Sequence, residues 1–544
     1  MKKLLALFLS VVTVFVVVSC GNDSSNGSNN GESSGGTTDR SVKITMSYYE
    51  GGNGSDWLKA VAQDYMTNVD TDVEIILKKS SSNETAKSNI ISEVGLSDIY
   101  QIETDMFGNG EYLEDLTDLY DAKAYGENKS LKEKLSENSG SVLEYYNEDG
   151  KYYQVPQTQM TGWNWVYNKT LLDETLGADK YVLPRTTDEF LAFGETLYNK
   201  GVFLTAGALA DTQGGEYLHY AMRNWFAQSL GLEAYEKYFS GYALVNGEWK
   251  FCEEEPTMIT VNRASLESVY GLAERLFSKA SGNSVQYLHN TSESFAYKDV
   301  DKVFYRGTFK RQDLTPFAFH FVGSWLENEV KPFKEDKTIE DQDVYAMKMP
   351  VLSSITARAT SIENDEKLRA VVDYADGVTS EKPSGVTDGD IEIVREARNM
   401  VVENICRSFV IPKKAKNKEK CKEFLAYLFS GRAQKIAAQK AGGNIMLPYG
   451  YKPTDEDMGF TISPYVKSVY AVAENAVIVD AGNYDKKFAT VVGMKWYHDK
   501  KTANKSIAVD IFSGVYTPTS EIYESTYGNY KTNWSNYIEK FKKA

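Results

Sequence analysis

The sequence predicts an α/β fold in which the strands of a parallel sheet are joined by helices. Alternating apolar residues over 42–46 predict a strand, an apolar face over 57–65 predicts a helix, and the apolar run 73–77 predicts a second strand. Strand, helix and strand at this spacing form a right-handed crossover unit. Ligands of such sheets bind beyond the carboxyl ends of the strands, so the loops 47–56 and 103–110 are candidate binding loops.

Two helix starts can be read from capping residues. Thr186 and Glu189 have the spacing of a capping box, and the apolar face of a helix follows them. Asn417 stands before a second amphipathic pattern, and we expect its side chain to cap that helix. Both caps predict helices that can cover a face of a sheet.

Length and composition narrow the class of protein. The chain has 544 residues, of which 42% are apolar and 25% are charged, and this is typical of a globular protein with about two to three domains. Its formal net charge of −16 and its pI near 5.0 argue against a nucleic-acid partner, because phosphate binding needs concentrated positive charge. We therefore expect no nucleic acid among its partners.

The residues that most often bind metals or carry redox chemistry are sparse. The four histidines lie far apart, and Cys252, Cys406 and Cys421 include no C-x-x-C pair. We expect no cofactor and no metal site. Whether two of these three cysteines form a disulfide stays open on the sequence alone.

Tyrosine is unusually frequent, with 37 residues in the chain. A tyrosine keeps a polar tip that favours a wet surface or a ligand. Many tyrosines, such as those between 523 and 537, fall in charged stretches. We expect most of the excess to lie on the surface, with packing between parts of the protein as the alternative.

The N-terminus has the pattern of a secretory signal. Two lysines precede the apolar run 4–18, which is too short to span a bilayer comfortably and leads to the small Ser19 before Cys20. This arrangement resembles the bacterial lipoprotein signal, in which the cysteine is lipidated and becomes the new N-terminus. An ordinary signal peptide with a chance cysteine is the alternative. Residues 21–40 are rich in Gly, Ser and Asn and predict a flexible tether.

Four stretches of the body carry a family resemblance. They are Ser97-Asp-Ile-Tyr-Gln-Ile-Glu-Thr-Asp105 with Leu113-Glu-Asp-Leu116; Asp149-Gly-Lys-Tyr-Tyr-Gln-Val-Pro156 through Tyr167-Asn-Lys169 to Thr187-Asp-Glu-Phe190; Phe321-Val-Gly-Ser-Trp325; and Phe409-Val-Ile-Pro412 with Gly442-Gly443. In order and content they resemble the extracellular solute-binding proteins of ABC importers, in particular the maltose-binding-protein-like sugar-binding family. The resemblance covers about residues 42–450, and Ser97 stands where the family usually has proline.

The resemblance implies a two-lobed periplasmic-binding-protein-like fold (type II) with a ligand cleft between discontinuous lobes. It places chain crossings near 154–157, 344–351 and 444–448, and insertions around 200–320 and 350–400. The expected organisation is a signal peptide at 1–19, a lipidated N-terminus and flexible tether at 20–40, an N-terminal lobe of 41–156 plus 350–445, and a C-terminal lobe of 157–349 plus 446–544.

Candidate ligand-binding residues come first from the pattern of the chain. Sugars present apolar C–H faces ringed by hydroxyl groups, so a sugar site needs flat aromatic surfaces and planar polar groups. Trp163 and Trp165 lie two apart on a predicted strand, so both face the same way and can form a stacking platform. The alternative for both is packing in the core.

The resemblance adds three further ligand-binding candidates. It implies a cleft tyrosine at Tyr167, a stacking tryptophan at Trp325 and a hydroxyl-binding aspartate at Asp105. A common structural tyrosine and a surface carboxylate are the alternatives for the first and the last. Ile102 stands where the maltose-binding relative has a stacking aromatic, and this departure argues against maltodextrin itself.

Together these features predict a lipid-anchored solute-binding receptor on the extracytoplasmic face of the cell membrane. We expect it to capture a carbohydrate, more specifically an oligosaccharide, and to deliver it to the permease subunits of an ABC importer. We expect a monomer that meets the membrane only through its lipid anchor. The alternatives are a receptor for peptides or another polar solute, and a surface glycan-binding or hydrolysing protein.

Enzymatic activity is not expected. The acidic clusters at 253–255 and 388–390 lack the spacing of a catalytic carboxylate pair, since neighbouring residues on a strand point to opposite faces. The sequence contains neither a P-loop nor a G-x-S-x-G motif. Any ATP hydrolysis must therefore belong to a partner.

Overall fold

The computed structural model describes residues 40–543 with gaps. The gaps fall at 104–108, 139–142, 144–145, 149, 158–162, 211–214, 280–283, 404–406, 448, 481–487, 489–491, 499, 501–505, 517 and 519. The expected signal peptide, Cys20 and nearly all of the tether lie outside the described residues, as do Asp105 and Cys406. Within the described part of the chain, no helix has both the length and the apolar character that a membrane span requires.

The strands are short and lie mostly in two sheets. Their bounds are β1 Val42–Tyr48, β2 Val73–Lys79, β3 Ile99–Glu103, β4 Val155–Pro156, β5 Trp163–Asn168, β6 Phe203–Thr205, β7 Tyr242–Val245, β8 Glu248–Phe251, β9 Phe317–Gly323, β10 Val344–Met347, β11 Met400–Glu403, β12 Arg407–Val410 and β13 Val477–Asp480.

The helices cover both faces of these sheets. Their bounds are α1 Asp56–Asn68, α2 Asn83–Ser92, α3 Asn109–Tyr112, α4 Thr117–Asp121, α5 Leu131–Asn138, α6 Lys169–Leu176, α7 Thr187–Tyr198, α8 Gly215–Leu230, α9 Leu232–Phe239, α10 Thr257–Val261, α11 Arg263–Phe277, α12 Tyr297–Phe304, α13 Leu326–Glu335, α14 Asp365–Ala375, α15 Asp388–Asn399, α16 Lys418–Leu428, α17 Gly431–Lys440, α18 Asp455–Met458, α19 Pro464–Ala473, α20 Ile507–Phe512 and α21 Glu521–Lys543.

The first lobe is built on a five-stranded sheet in the order β2-β1-β3-β12-β4. β1 runs parallel to β2 and β3, with Val42 opposite Val73, so the predicted crossover unit is confirmed. β12 pairs antiparallel with β3 although it comes from much later in the chain. Ile44 and Met46 of β1 are fully buried in one core with Trp57 of α1.

The second lobe is built on a six-stranded sheet in the order β13-β11-β5-β9-β6, with β10 also paired to β5. β5 is antiparallel to β9, β10 and β11. Its side chains alternate between two cores: Trp163 and Trp165 enter one, and Val166 enters the other. The chain therefore has the expected two-lobed α/β architecture.

Sheet membership differs from the expected lobe boundaries in one place. We expected 350–445 in the first lobe, with a crossing near 344–351. β10 instead pairs with β5, and β11 does the same near residue 402, so the chain stays with the second sheet through 403. The return to the first sheet falls between β11 and β12. The return is later than expected because the apolar strands β10 and β11 both pair with β5 before the chain leaves the second lobe.

The segment around 350–400, expected as an insertion, has a small core of its own. α14 and α15 pack together with the short 3₁₀ helix Ser353–Ala357, and their apolar side chains form a separate cluster that includes Leu368, Val372 and Val394. This layer lies against α8 of the second lobe.

Many tyrosines are buried, which corrects the expectation of a mostly surface excess. Tyr523 and Tyr530 of α21 are almost fully buried in the second-lobe core. Some of the buried tyrosine hydroxyls donate hydrogen bonds to backbone carbonyls, as Tyr530 does to Lys495 at 2.8 Å and Tyr465 does to Gly323 at 3.0 Å. The C-terminal helix is thus part of the lobe's packing.

Of the two predicted caps, one is confirmed and one is wrong. Thr186 accepts a hydrogen bond from the amide of Glu189 at 3.2 Å, and the Glu189 carboxylate accepts from the amide of Arg185. Asn417 makes no capping hydrogen bond. Its side-chain amide donates instead to the carbonyl of Lys43 at 2.8 Å, so it links the start of α16 to β1.

Replacing a buried phenylalanine of the first lobe should cost far more stability than replacing an exposed one. Phe424 is fully buried, and its ring meets that of Tyr65 at 5.1 Å. We expect Phe424→Ala to lower the free energy of unfolding by about 3–5 kcal/mol, because it leaves a cavity. The matched control Phe460→Ala removes a ring that is 39% exposed and should change it by less than about 1 kcal/mol. Urea titration followed by circular dichroism measures both, and equal losses would contradict this packing.

Candidate functional site

Strand register brings two tryptophans together at the edge of the second lobe. In the antiparallel pair β5–β9, Trp163 lies opposite Gly323. A side chain at Gly323 would overlap the indole of Trp325, so this glycine lets that indole fold back over the end of β9. The rings of Trp163 and Trp325 meet edge to face at 4.9 Å.

Helix α8 completes this aromatic surface. Tyr217 and Tyr220 are three residues apart and therefore share one face of the helix. Their rings lie 4.3 Å and 4.8 Å from that of Trp163, and both tyrosines are only partly buried. We refer to Trp163, Tyr217, Tyr220 and Trp325 as the aromatic wall.

The loop after β1, a predicted binding loop, reaches from the first lobe to the aromatic wall. A methyl group placed on Gly52 would stand 2.6 Å from Cδ1 of Trp325, which is closer than real contacts allow. Beside it, the side-chain amide of Asn328 donates a hydrogen bond to Oδ1 of Asn53 at 2.9 Å. The lobes therefore touch at this point, and only a glycine fits between them.

Planar polar groups lie on the first-lobe side of this junction. The backbone amide of Tyr49 donates to the side-chain oxygen of Gln101 at 2.8 Å, and the amide of Gln101 donates to Gln157. The guanidinium of Arg407 lies 4.5 Å from the centre of the Tyr49 ring. Amide and guanidinium groups can form paired hydrogen bonds with neighbouring hydroxyl groups.

A carboxyl group lies between the two lobes. On α13, Oε1 of Glu329 would be 2.9 Å from a methyl group on Gly52, while its Oε2 is buried and has no hydrogen-bond partner. Burial raises the pKa of Glu329 to about 8, and the negative charge of Asp301 adds to this shift. This carboxyl group is therefore mostly uncharged at neutral pH.

The other predicted site residues lie elsewhere. Trp165 is 1% exposed and packs against Phe190 and Phe321, so its indole offers no face to a ligand in this arrangement. Tyr167 stacks on Tyr345, about 13 Å along β5 from Trp163 by the rise of a strand. Asp105 follows β3 but lies outside the described residues.

Tyr217, Tyr220 and Glu329 also lie at this junction, although the sequence does not predict them as candidate ligand-binding residues. The i, i+3 spacing of the two tyrosines is visible in the sequence, but it lies in the segment around 200–320 that the resemblance implies is an insertion. Glu329 follows Trp325 by one helical turn, and this spacing could have placed it beside the tryptophan.

The structure gives one finding on metal ligands and one on thiols in the part of the chain that it describes. In it, no group of three or more His, Cys, Asp or Glu side chains is arranged to hold a metal ion. Cys252 and Cys421 are free and buried.

Comparison with known proteins identifies a family for part of the chain. Residues 51–252 match the family described as bacterial extracellular solute-binding protein. By sequence, the chain matches no curated protein.

Solved structures extend the likeness to most of the chain. Unliganded RafE from Streptococcus pneumoniae superposes with a TM-score of 0.55 at 14% identity, covering 91% of this chain and 98% of RafE. RafE in complex with raffinose superposes with a TM-score of 0.54 at 14% identity, and the match covers 90% of this chain and 99% of RafE. The GacH receptor of Streptomyces glaucescens has been solved unliganded and with acarbose. It superposes with a TM-score of 0.53 at 14% identity, and the match covers 92% of this chain and 99% of GacH.

The expected resemblance is thus confirmed. The chain is similar to bacterial extracellular solute-binding proteins, in sequence over residues 51–252 and in fold over about nine-tenths of its length. Proteins of this class bind solutes outside the cytoplasm, and the junction between two lobes is where the aromatic wall and the polar groups meet.

Adding one methyl group at Gly52 should weaken contact between the lobes. Gly52 has no positive φ, so alanine fits its backbone but clashes with Trp325, at a cost of about 1–3 kcal/mol for overpacking. We expect Gly52→Ala to raise the radius of gyration of the ligand-free protein, as measured by small-angle X-ray scattering. The control Gly271→Ala meets no atom within 4 Å and should leave it unchanged. An unchanged radius for Gly52→Ala would show that this contact does not hold the lobes together.

Proposed function

We propose that the protein is the lipid-anchored receptor of an ABC importer. It captures a carbohydrate, more specifically an oligosaccharide, between its lobes. The observation that carries this proposal is the aromatic wall beside the loop at Gly52. The protein then delivers the sugar to the permease subunits of the importer and acts by binding alone, without catalysis.

The chemistry of the junction suits a sugar. The indoles of Trp163 and Trp325 stand at right angles and are 5% and 8% exposed in the arrangement described. We expect separation of the lobes to present them to the apolar C–H faces of sugar rings. The Nε1 group of Trp163 is buried and without a hydrogen-bond partner, so it is a donor that a ligand hydroxyl can satisfy. Gln101 and Arg407 supply planar polar groups on the other side.

The structural neighbours support a sugar over a peptide. RafE is described in complex with raffinose and GacH in complex with acarbose, and another neighbour, with a TM-score of 0.51 at 14% identity, is described as a chitin oligosaccharide binding protein. These ligands belong to those proteins. They make raffinose a reasonable first probe for this one.

The aromatic wall belongs to the second lobe and the loop at Gly52 to the first, and this arrangement explains how a ligand can be captured between them. A ligand between Trp325 and Gly52 contacts both lobes only when they are close together. The ligand gains the free energy of these contacts only in the closed arrangement. Binding therefore shifts the equilibrium toward the closed arrangement by that amount of free energy. A permease that recognises the closed arrangement then distinguishes loaded from empty receptors.

Removal of either tryptophan of the wall should weaken sugar binding. We expect a panel of neutral oligosaccharides that includes raffinose to contain at least one ligand by isothermal titration calorimetry. Trp163→Ala and Trp325→Ala should each weaken its binding at least tenfold, because aromatic groups at the centre of a site commonly contribute about 2 kcal/mol or more. Trp249→Ala, on the hairpin β7–β8, is the matched control and should bind like the wild type.

Three outcomes would contradict this function. They are peptide binding without sugar binding, release of reducing ends during incubation, and normal sugar affinity in both tryptophan variants. The first supports a peptide receptor, the second a hydrolase and the third a different site.

The lipid anchor depends on a single thiol in this proposal. We expect Cys20→Ser to move the protein from the membrane fraction to the soluble fraction of the cell, because without an acyl chain nothing holds the tether to the bilayer. Fractionation and immunoblotting measure the distribution. A variant that stays with the membrane as the wild type does would rule out lipidation at Cys20.

A further inference from the structure

Glu329 is placed to contact any ligand held between the lobes. Its Oε1 lies at the point where Gly52 meets Trp325, and Trp325 belongs to the aromatic wall. A group that enters between the glycine and the indole therefore comes within hydrogen-bond distance of this carboxyl group.

The surroundings of Glu329 contain little positive charge. Its Oε2 is buried and unpartnered, and the carboxylate of Asp301, itself buried, bonds only to His320 at 2.9 Å, which leaves Oδ2 of Asp301 without a partner. The groups whose charges interact with Glu329 are Lys298 and Asp301 on α12, Tyr217 on α8 and Tyr465 on α19. Glu327 and Lys331 lie on its own helix, and His320 on β9 contacts Asp301.

Lys298, the positive charge that acts on Glu329, is exposed, and exposed charges are screened by water. A hydrogen bond from Trp325 also favours the ionised carboxylate, yet burial outweighs both effects and raises the pKa of Glu329 to about 8. An ionised Glu329 would thus be a buried charge without compensation, and it would face a second carboxylate.

We infer that Glu329 is a specificity-determining residue of the ligand site and contacts the ligand as an uncharged carboxylic acid. The site then accepts neutral sugars and rejects anionic ones such as uronates, because a ligand carboxylate would be buried beside Asp301 and Glu329. This inference rests on the proposed function, since it names the class of sugar that the same site takes.

Proton uptake is the measurable consequence. When the lobes separate, water reaches Glu329 and its pKa returns toward the ordinary value near 4.5. The closed arrangement therefore holds a proton that the open one releases. Affinity for a neutral ligand therefore falls as the pH rises from about 4.5 to 8, and levels off above the raised pKa.

The test uses the full chain with the tightest neutral sugar of the panel and its uronate counterpart. We expect the wild type to bind the neutral sugar at least tenfold more weakly at pH 8.5 than at pH 6, and to take up a proton on binding near pH 7. Calorimetry in buffers of different ionisation enthalpy measures this uptake. We expect the uronate to bind at least a hundredfold more weakly than the neutral sugar at pH 7.

Three variants separate the role of charge from that of shape. Glu329→Gln stays uncharged and should keep its affinity within threefold of the wild type at pH 4.5, where the wild-type carboxyl group needs little proton uptake, while losing both the pH dependence and the proton uptake. Glu329→Ala loses the contact and should bind at least tenfold more weakly. Glu335→Gln, an exposed residue on the same helix, should behave like the wild type. A pH profile unchanged in Glu329→Gln, or equal affinity for the uronate, overturns the inference.

A ligand-free measurement keeps this inference distinct from the proposed function. The pKa of Glu329 is raised in the fraction of the ligand-free folded protein whose lobes touch as described here, and the stability that this adds is lost as the pH rises from about 4.5 toward 8. The melting temperature of the wild type should therefore fall relative to that of Glu329→Gln between pH 5 and 8.5. A constant difference overturns the inference. If the wild type binds no sugar, the proposed function fails, and the melting curves still decide the state of Glu329.

Discussion

The antiparallel register of β5 and β9 is the constraint on which the candidate site depends. It sets Trp163 opposite Gly323, and the missing side chain of that glycine gives the Trp325 indole room to fold back. A shift of one residue would turn Trp163 to the other face of the sheet and replace the glycine opposite it. Tyr465 supports the arrangement from α19 by donating a hydrogen bond to the carbonyl of Gly323.

The rest of the second lobe holds this wall in place. α8, which carries the two tyrosines, packs against β5, β9 and β11 and is covered by the layer of α14 and α15. The indole of Trp534 from the C-terminal helix donates a hydrogen bond to the carbonyl of Cys252 and fills the same core. A wall supported in this way loses little side-chain entropy on binding, whereas the motion is left to the chain crossings between the lobes.

The sequence predicted the parts of the fold that local patterns encode. The crossover unit of the first lobe, the strand that carries Trp163 and Trp165, and the cap at Thr186 follow from short-range spacing. The lobe boundary was misplaced because nothing near residue 350 indicates that β10 and β11 still pair with β5. Asn417 has a capping residue's spacing, but a tertiary hydrogen bond to Lys43 competes for its side chain. Gly52 and Glu329 meet only through tertiary contact, which no local pattern reveals.

The central claim is that the ligand lies between the aromatic wall of the second lobe and the loop at Gly52 of the first. A crystal structure with the tightest-binding sugar of the panel tests it most directly. The account predicts a sugar ring against Trp163 or Trp325, with Gly52 on its far side and Glu329 within hydrogen-bond distance. A sugar bound away from this junction, without contact to Trp163, Trp325 or the loop at Gly52, would contradict it.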